Sequence, residues 1–351
     1  MLQRNFLLLR IFLTLLWFQM SLYTSACSSS LKHVDPDEDL PSDLTAEVKK
    51  RFEVKKVGDT PARPSEVKRE PSPVGKSKVR HRTQKGTKNS TEGNPENRAP
   101  SQPFQYPSRR PVQDPIWVGE RLVYTMSYIG VPVGEFTLEV LPNKFVANRE
   151  VYHITGHAVT SSVASLIYRL DDFVETYFDY QGLFSHRFHI LLDETKQKRD
   201  SLELNDSEKK ETFFWNRWHH RDKGYSETKQ FAAVPSFAQD TMSALYYIRM
   251  LPLPTGSELT FPVISEGRAW EAICTVVRRE MKDTVLGEVQ TIVIRPDTKY
   301  EGILRKAGTS YLWLTDDDRR IPVRLEAKVR IGSIVAKLKK VELGTRPRDN
   351  K

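Results

Sequence analysis

From residue 321 to 331, apolar side chains fall on every odd position: Ile321, Val323, Leu325, Ala327, Val329 and Ile331. Pro322, Arg324, Glu326, Lys328 and Arg330 stand between them. Alternation of this kind puts one face of a β-strand on a core and the other in water. Gly332-Ser333 then predicts a two-residue hairpin turn, with glycine where φ must be positive. Ile334, Ala336 and Leu338 begin the return strand. Residues 311–315 form a strand upstream, joined to the first through Asp316-Asp317-Asp318-Arg319-Arg320. The pattern predicts a three-stranded antiparallel meander.

The same period runs back to residue 116. Leu122, Tyr124, Met126 and Tyr128 alternate, 130–134 turns, and Phe136, Leu138 and Val140 alternate on the return. Strands are predicted over 150–159, 173–179, 183–192, 199–204, 211–219, 225–231, 258–263, 269–279, 287–295 and 304–306. Residues 161–167 suit a short helix. The main helix is predicted over 239–250, where Asp240 can accept from free backbone N–H groups. Met242, Leu245 and Tyr246 share one side of it, and Pro252 and Pro254 stop it. Short strands with turn signals and one main helix predict an all-β fold with minor α content. The expected form is a curved antiparallel sheet or half-open β-barrel around one main helix, preceded by a disordered tether.

The tether is a matter of composition. The chain has 351 residues and a formal net charge of +9. Residues 28–112 hold 18 Lys and Arg against 12 Asp and Glu, whereas 113–351 hold 34 against 33. The basic surplus therefore belongs to the region before the strands, and nucleic-acid binding is not expected of the folded part. Residues 28–112 also hold 11 of the 21 prolines and no sustained apolar period, so they bury too little to offset ordering entropy. A short transient helix fits 44–57. The expected division is 1–26 signal peptide, 27–112 tether, 113–346 β domain and 347–351 tail.

Arg4 and Arg10, the apolar run 11–20 and the small residues Thr24-Ser25-Ala26 make the signal. Cys27 follows at once, as in a bacterial lipoprotein whose cysteine is acylated; Thr24 stands where that motif usually has an aliphatic residue. Ordinary secretion and an uncleaved anchor are the other readings. Cys27 and Cys274 are the two cysteines, so no disulfide framework exists. If Cys27 carries lipid, Cys274 is an inert buried thiol.

Several blocks occur in order: Gly119-Glu120-x-Leu122-x-Tyr124, Gly130-x-x-x-Gly134, Gln239-Asp240-x-x-Ser243-Ala244-Leu245-Tyr246-Tyr247-x-Arg249, Trp313-Leu314-Thr315-Asp316-Asp317-x-Arg319-Arg320-Ile321-Pro322-Val323 and Gly332-Ser333-Ile334. Over residues 116–343 the chain resembles the bacterial exported family catalogued as domain of unknown function 3108. The resemblance implies an exported protein built on a curved antiparallel sheet, and no established catalytic residues. In plan it is also similar to the periplasmic lipoprotein carriers, an open barrel around a helix.

Catalytic motifs are missing from the sequence: no phosphate-binding glycine loop, no G-x-S-x-G and no H-E-x-x-H. His153 and His157 lie on one strand about 13 Å apart, too far to share a metal. His186 and His189 point to opposite faces, and His219-His220 lack a further ligand. Ser226-x-x-Lys229 stands on a strand without companion motifs. Asp316-Asp317-Asp318 reads as a turn neutralised by Arg319 and Arg320 rather than a calcium loop. Neither a cofactor nor a metal is expected. Glu120 and Asp240, flanked by apolar segments, are expected in buried ion pairs with Arg249, Arg319 or Arg320. Tyr124, Tyr128, Tyr246, Trp270 and Trp313, with Phe136 and Tyr247, are expected to line the barrel as filled core or as an apolar ligand groove. The resulting expectation is a non-catalytic, lipid-anchored protein of the bacterial periplasm or outer membrane that binds a lipid or amphiphile. An interaction module docking on envelope proteins is the alternative. A third class is an enzyme acting on an envelope polymer, with Glu120 facing Asp171 or Asp172.

Overall fold

The computed structural model describes residues 40–41, 44–56, 104–300, 303–305, 309–328 and 332–347. The signal, Cys27 and most of the expected tether lie outside the described residues. The first elements are helix α1 (Ala46–Phe52) and β1 (Lys55–Lys56). A run of long strands follows: β2 (Val118–Tyr128), β3 (Val131–Val146), β4 (Arg149–Thr160), the single turn α2 (Ser162–Ser165), β5 (Leu170–Asp179), β6 (Ser185–Glu194), β7 (Gln197–Asp206), β8 (Glu211–His220) and β9 (Gly224–Ala233). Helix α3 (Thr241–Met250) leads to β10 (Glu258–Ser265), β11 (Arg268–Thr284), β12 (Gly287–Tyr300), β13 (Ile303–Arg305), β14 (Ser310–Thr315), β15 (Pro322–Lys328) and β16 (Ser333–Thr345).

These strands form one antiparallel sheet in the order β10-β11-β12-β14-β15-β16-β2-β3-β4-β5-β6-β7-β8-β9, with β13 on β12 and β1 on β3. Its final strand, β16, pairs with its first long strand, β2, in the middle of the sheet. The sheet does not close into a barrel: β9 and β10 are its two edges. Gln239 forms a parallel bridge to Val263, taking up the free side of β10 just before α3 begins. The side chain of Gln230 on β9 also donates to the carbonyl of Glu266, in the β10–β11 turn (3.2 Å).

The inner face is set by alternation. Leu122, Tyr124 and Met126 of β2 and Phe136, Leu138 and Val140 of β3 are buried in one core with residues of β10–β12, β14–β16 and α3. Asp240 caps α3, accepting from Met242 and Ser243 N–H (both 2.7 Å). Leu251 ends the helix in extended backbone before Pro252. Cys274 is a buried free thiol in this core, and burial pushes it up to about 12.

Two expectations are corrected. The turn of the closing hairpin lies earlier than predicted: Lys328 pairs with Ser333, so Ser333 is already strand. Gly332 has φ +86°, while Val329, Arg330 and Ile331 lie outside the described residues. The second correction concerns the tether. Leu44 and Phe52 are buried with Val146, Val151, Tyr177 and Leu204 on the outer face of the sheet. Arg51 binds Asp206 (2.8 Å) and Glu208 (2.9 Å). Arg109 and Arg110 N–H both donate to the Gln181 carbonyl. Residues 44–56 and 107–112 thus belong to the sheet unit rather than to a tether, because the outer face supplies the apolar surface their own sequence lacks.

Candidate functional site

A groove lies on the inner face, over the halves of β4–β7 that lead to α2 and the β6–β7 turn. Phe136, Val174, Phe188, Ile190, Leu192 and Phe214 form its apolar wall. Asp172, Arg199, Ser201, Glu203, Thr241 and Glu266 supply its polar groups. Its volume open to water-sized occupants is ≈ 40 Å³, room for a few waters.

Alternation explains why the polar groups are there. On β7, Leu202 and Leu204 join the outer cluster with α1, so Arg199, Ser201 and Glu203 face inward. The β10–β11 turn closes over them: Glu266 accepts from Arg199 (3.0 Å), and Gly267 N–H donates to Glu203 (2.8 Å). A Cβ at Gly267 would lie 2.2 Å from Gln230 Nε2, and its φ of +67° also suits glycine.

Burial raises the carboxyls of Glu203 and Asp172. Burial pushes Glu203 up to about 8; the Gly267 N–H pulls it back, and Glu266 and Asp240 push it further. Burial and then neighbouring Glu194 raise Asp172 well above the usual carboxylate range. Burial raises Glu194 to about 7 against hydrogen bonds from Tyr168 and Gln197. Asp172 Oδ2 and Glu194 Oε1 each lack a donor, and one proton held between the two carboxyls satisfies both. The hydroxyl of Thr241 has no partner among the described residues. The groove therefore presents neutral hydrogen-bonding groups on apolar walls, with Arg199 and Glu266 neutralising each other.

Of the two places expected for the aromatic residues, most take the core. Tyr124, Tyr246, Trp270 and Trp313 are buried core and do not line the groove. Tyr124 donates to the Pro322 carbonyl (2.7 Å) and Trp313 to Glu280 (2.6 Å). Tyr128 is half-buried at the end of β2, and Tyr247 packs edge-on to Phe261. Phe136 alone of that set reaches the groove. The cause is α3, which fills the space those rings surround.

Of the expected ion-pair residues, three meet. Arg249 binds both oxygens of Glu120 (2.7 Å each), and Arg319 adds a third bond (2.6 Å). Arg319 also lies over the Trp117 ring at 3.6 Å. Among the described residues Asp240 has no cation partner; it binds the helix N–H groups and Thr176. Arg320 donates to the Leu251 carbonyl (2.8 Å) at the end of α3. Glu120 is thus remote in role from Asp172, which lines the groove, and from Asp171, which pairs with His157. His153, His186 and His189 pair with Glu175, Asp179 and Asp200. Among the described residues no group of three His, Cys, Asp or Glu is arranged to hold a metal, and no helix is long and apolar enough to cross a membrane.

The chain is similar to two solved structures. A β-barrel-like protein of the DUF1849 family from Brucella abortus is 11% identical, covering 64% of this chain and 98% of its own, with a TM-score of 0.43. A candidate exported protein with a YmcC-like fold from Bacteroides fragilis NCTC 9343 is 8% identical, covering 68% of this chain and 99% of its own, with a TM-score of 0.28. No curated protein matches the sequence. Residues 123–339 match the family described as protein of unknown function DUF3108, and the chain belongs to that family.

Proposed function

We propose that this protein is a non-catalytic binding module, exported to the bacterial envelope, that holds an amphiphile with an uncharged polar end. The observation that carries the reading is the inner-face groove, lined by apolar side chains with Glu203, Asp172, Ser201 and Thr241 set among them. Neutral carboxyls and hydroxyls suit hydroxyl- or amide-bearing groups, and a fixed charge would find no counter-ion there beyond the Arg199–Glu266 pair. The apolar part of the ligand lies along Phe188, Ile190 and Leu192. The signal-like start and Cys27 support a lipid-anchored position in the envelope.

The groove carboxyls also bear on hydrolysis of an envelope polymer. Two-carboxylate hydrolysis needs one protonated and one ionised group. Burial raises both Glu203 and Asp172, which favours an acid over a base at these two positions.

The test is native mass spectrometry of the full chain, recovered from a bacterial envelope with Cys27→Ser so that no attached acyl chain adds mass. The expected result is a reproducible excess that solvent extraction identifies as an uncharged-headed amphiphile, lost in the groove-filling variant Ala158→Leu. A bare polypeptide mass, unchanged after incubation with envelope lipid extract, sinks the reading.

A further inference from the structure

Five turns gather at one end of the sheet. Tyr128 pairs with Ile334, and Ile129 N–H donates to the Ser333 carbonyl (3.1 Å), joining the β2–β3 and β15–β16 turns. Gly134 pairs with Thr160, and Ser161 N–H reaches Val133 (2.9 Å), bringing in the β4–β5 connection. Thr195 N–H donates to Arg169, and Arg221 N–H to Lys196 (both 2.9 Å), adding the β6–β7 and β8–β9 turns.

This end carries apolar side chains in water. Ile129, Val131, Val163, Leu166, Ile167 and Tyr225 are 57–86% exposed. The next side chain after Ile167 shows that the segment is held and not merely loose: Tyr168 turns inward to bond Glu194 (2.6 Å), leaving Leu166 and Ile167 pointing out. The same turns carry Arg169, Lys196, Arg221 and Lys223, with Lys328 at the end of β15, against Asp222. One layer back, Asp171 and Asp193 pair with Arg169. At the opposite end Phe231, Met281, Val285, Leu286 and Leu343 are also exposed, but the charge differs: the β14–β15 turn there holds Asp316, Asp317 and Asp318 beside Arg319 and Arg320.

We propose that this end docks on an anionic lipid surface. Single exposed apolar residues are ordinary, but a set at one end marks an interaction site. Here the set stands as knobs on separate turns, ringed by bases. Knobs of this kind enter the headgroup and acyl boundary, while Lys and Arg meet anionic headgroups. The docking stands without the groove reading. It does bring the two together, since Asp172 lies just after the start of β5 at Leu170, and Leu192 just before the end of β6 at Glu194.

The test uses the full chain with Cys27→Ser, leaving Cys274 buried and unreactive toward labels. An environment-sensitive fluorophore is placed at Ser162→Cys, on the docking end, or at Val285→Cys, on the β11–β12 turn. With vesicles of phosphatidylglycerol in phosphatidylcholine, the Ser162→Cys label moves to an apolar environment and is quenched by lipid-borne quenchers. With phosphatidylcholine alone it does not, and the Val285→Cys label stays in water on both. Leu166→Asp with Ile167→Asp abolishes the shift. Lys196→Glu with Lys223→Glu weakens the apparent affinity by at least about tenfold. A Ser162→Cys label that stays in water, a shift that survives the aspartate pair, or equal shifts at both positions overturns the proposal. A lipid-free doubling of mass that the aspartate pair removes also overturns it, assigning the end to self-association.

Discussion

Glu203→Gln separates the charge of a buried carboxyl from its shape. The glutamine keeps an oxygen that can accept from Gly267 N–H, and its amide stands where the protonated carboxyl carried its hydrogen. In the wild type, the folded protein binds this proton up to about pH 8, against an ordinary 4.5. Between these values the unfolded chain is ionised at this position and the folded chain is not. The folded state thus binds more protons, and stability falls as pH rises through the window. At roughly 1.4 kcal/mol per pH unit, the cost is about 2 kcal/mol at pH 6 and about 5 kcal/mol at pH 9. The variant has nothing to titrate there. Its stability advantage over the wild type should therefore grow by about 3 kcal/mol between pH 6 and pH 9. Urea unfolding of both proteins at a series of pH values measures this, because Asp172 and Glu194 contribute equally to the two curves and cancel. A difference that is flat with pH would refute the reasoning, and with it the neutral groove.

Arg249→Met leaves Glu120 buried with only Arg319 and should cost about 3–5 kcal/mol, with much of the loss recovered when Glu120→Leu is added; a double-mutant cycle by urea melts decides it. Asp240→Ala removes both N-cap bonds and the Thr176 bond, at a cost of about 2 kcal/mol in thermal or urea unfolding; an unchanged midpoint would contradict the assigned cap. Phe52→Ala should cost about 3–5 kcal/mol if residues 44–56 are part of the folded unit. A loss near zero would return that segment to the tether.

The closing meander was readable because a half-buried strand writes its two faces directly into its odd and even positions. The turn comes earlier than alternation predicts, because the apolar period runs on through Ile331 although Lys328 already pairs with Ser333. Asp240 was identified as a cap from its place before an apolar helical run, but its burial suggested a cation that the helix N–H groups replace. The groove was harder to see. In β7 the leucines look like the core side, yet Leu202 and Leu204 turn outward to meet α1. Only the docking of residues 44–56 reveals that Ser201 and Glu203 face the interior. The signal lay in two short apolar positions, Leu44 and Phe52, inside a segment whose proline and charge content argues against burial. The aromatic residues were rightly seen as interior, but sequence spacing does not say how far α3 fills the space between them.

The pairing of β16 with β2 has a consequence for the growing chain. Tyr128 finds its partner Ile334 only after roughly 200 further residues are made, a long-range closure of the kind that slows folding. Until then the Val118–Tyr128 strand presents an open edge while the strands on its other side are already available to pair. An unpaired edge of that length invites strands from other chains. The central seam of the finished sheet is therefore the part of the nascent protein most in need of protection, and losing the last strand would split the sheet through its middle rather than trim its border.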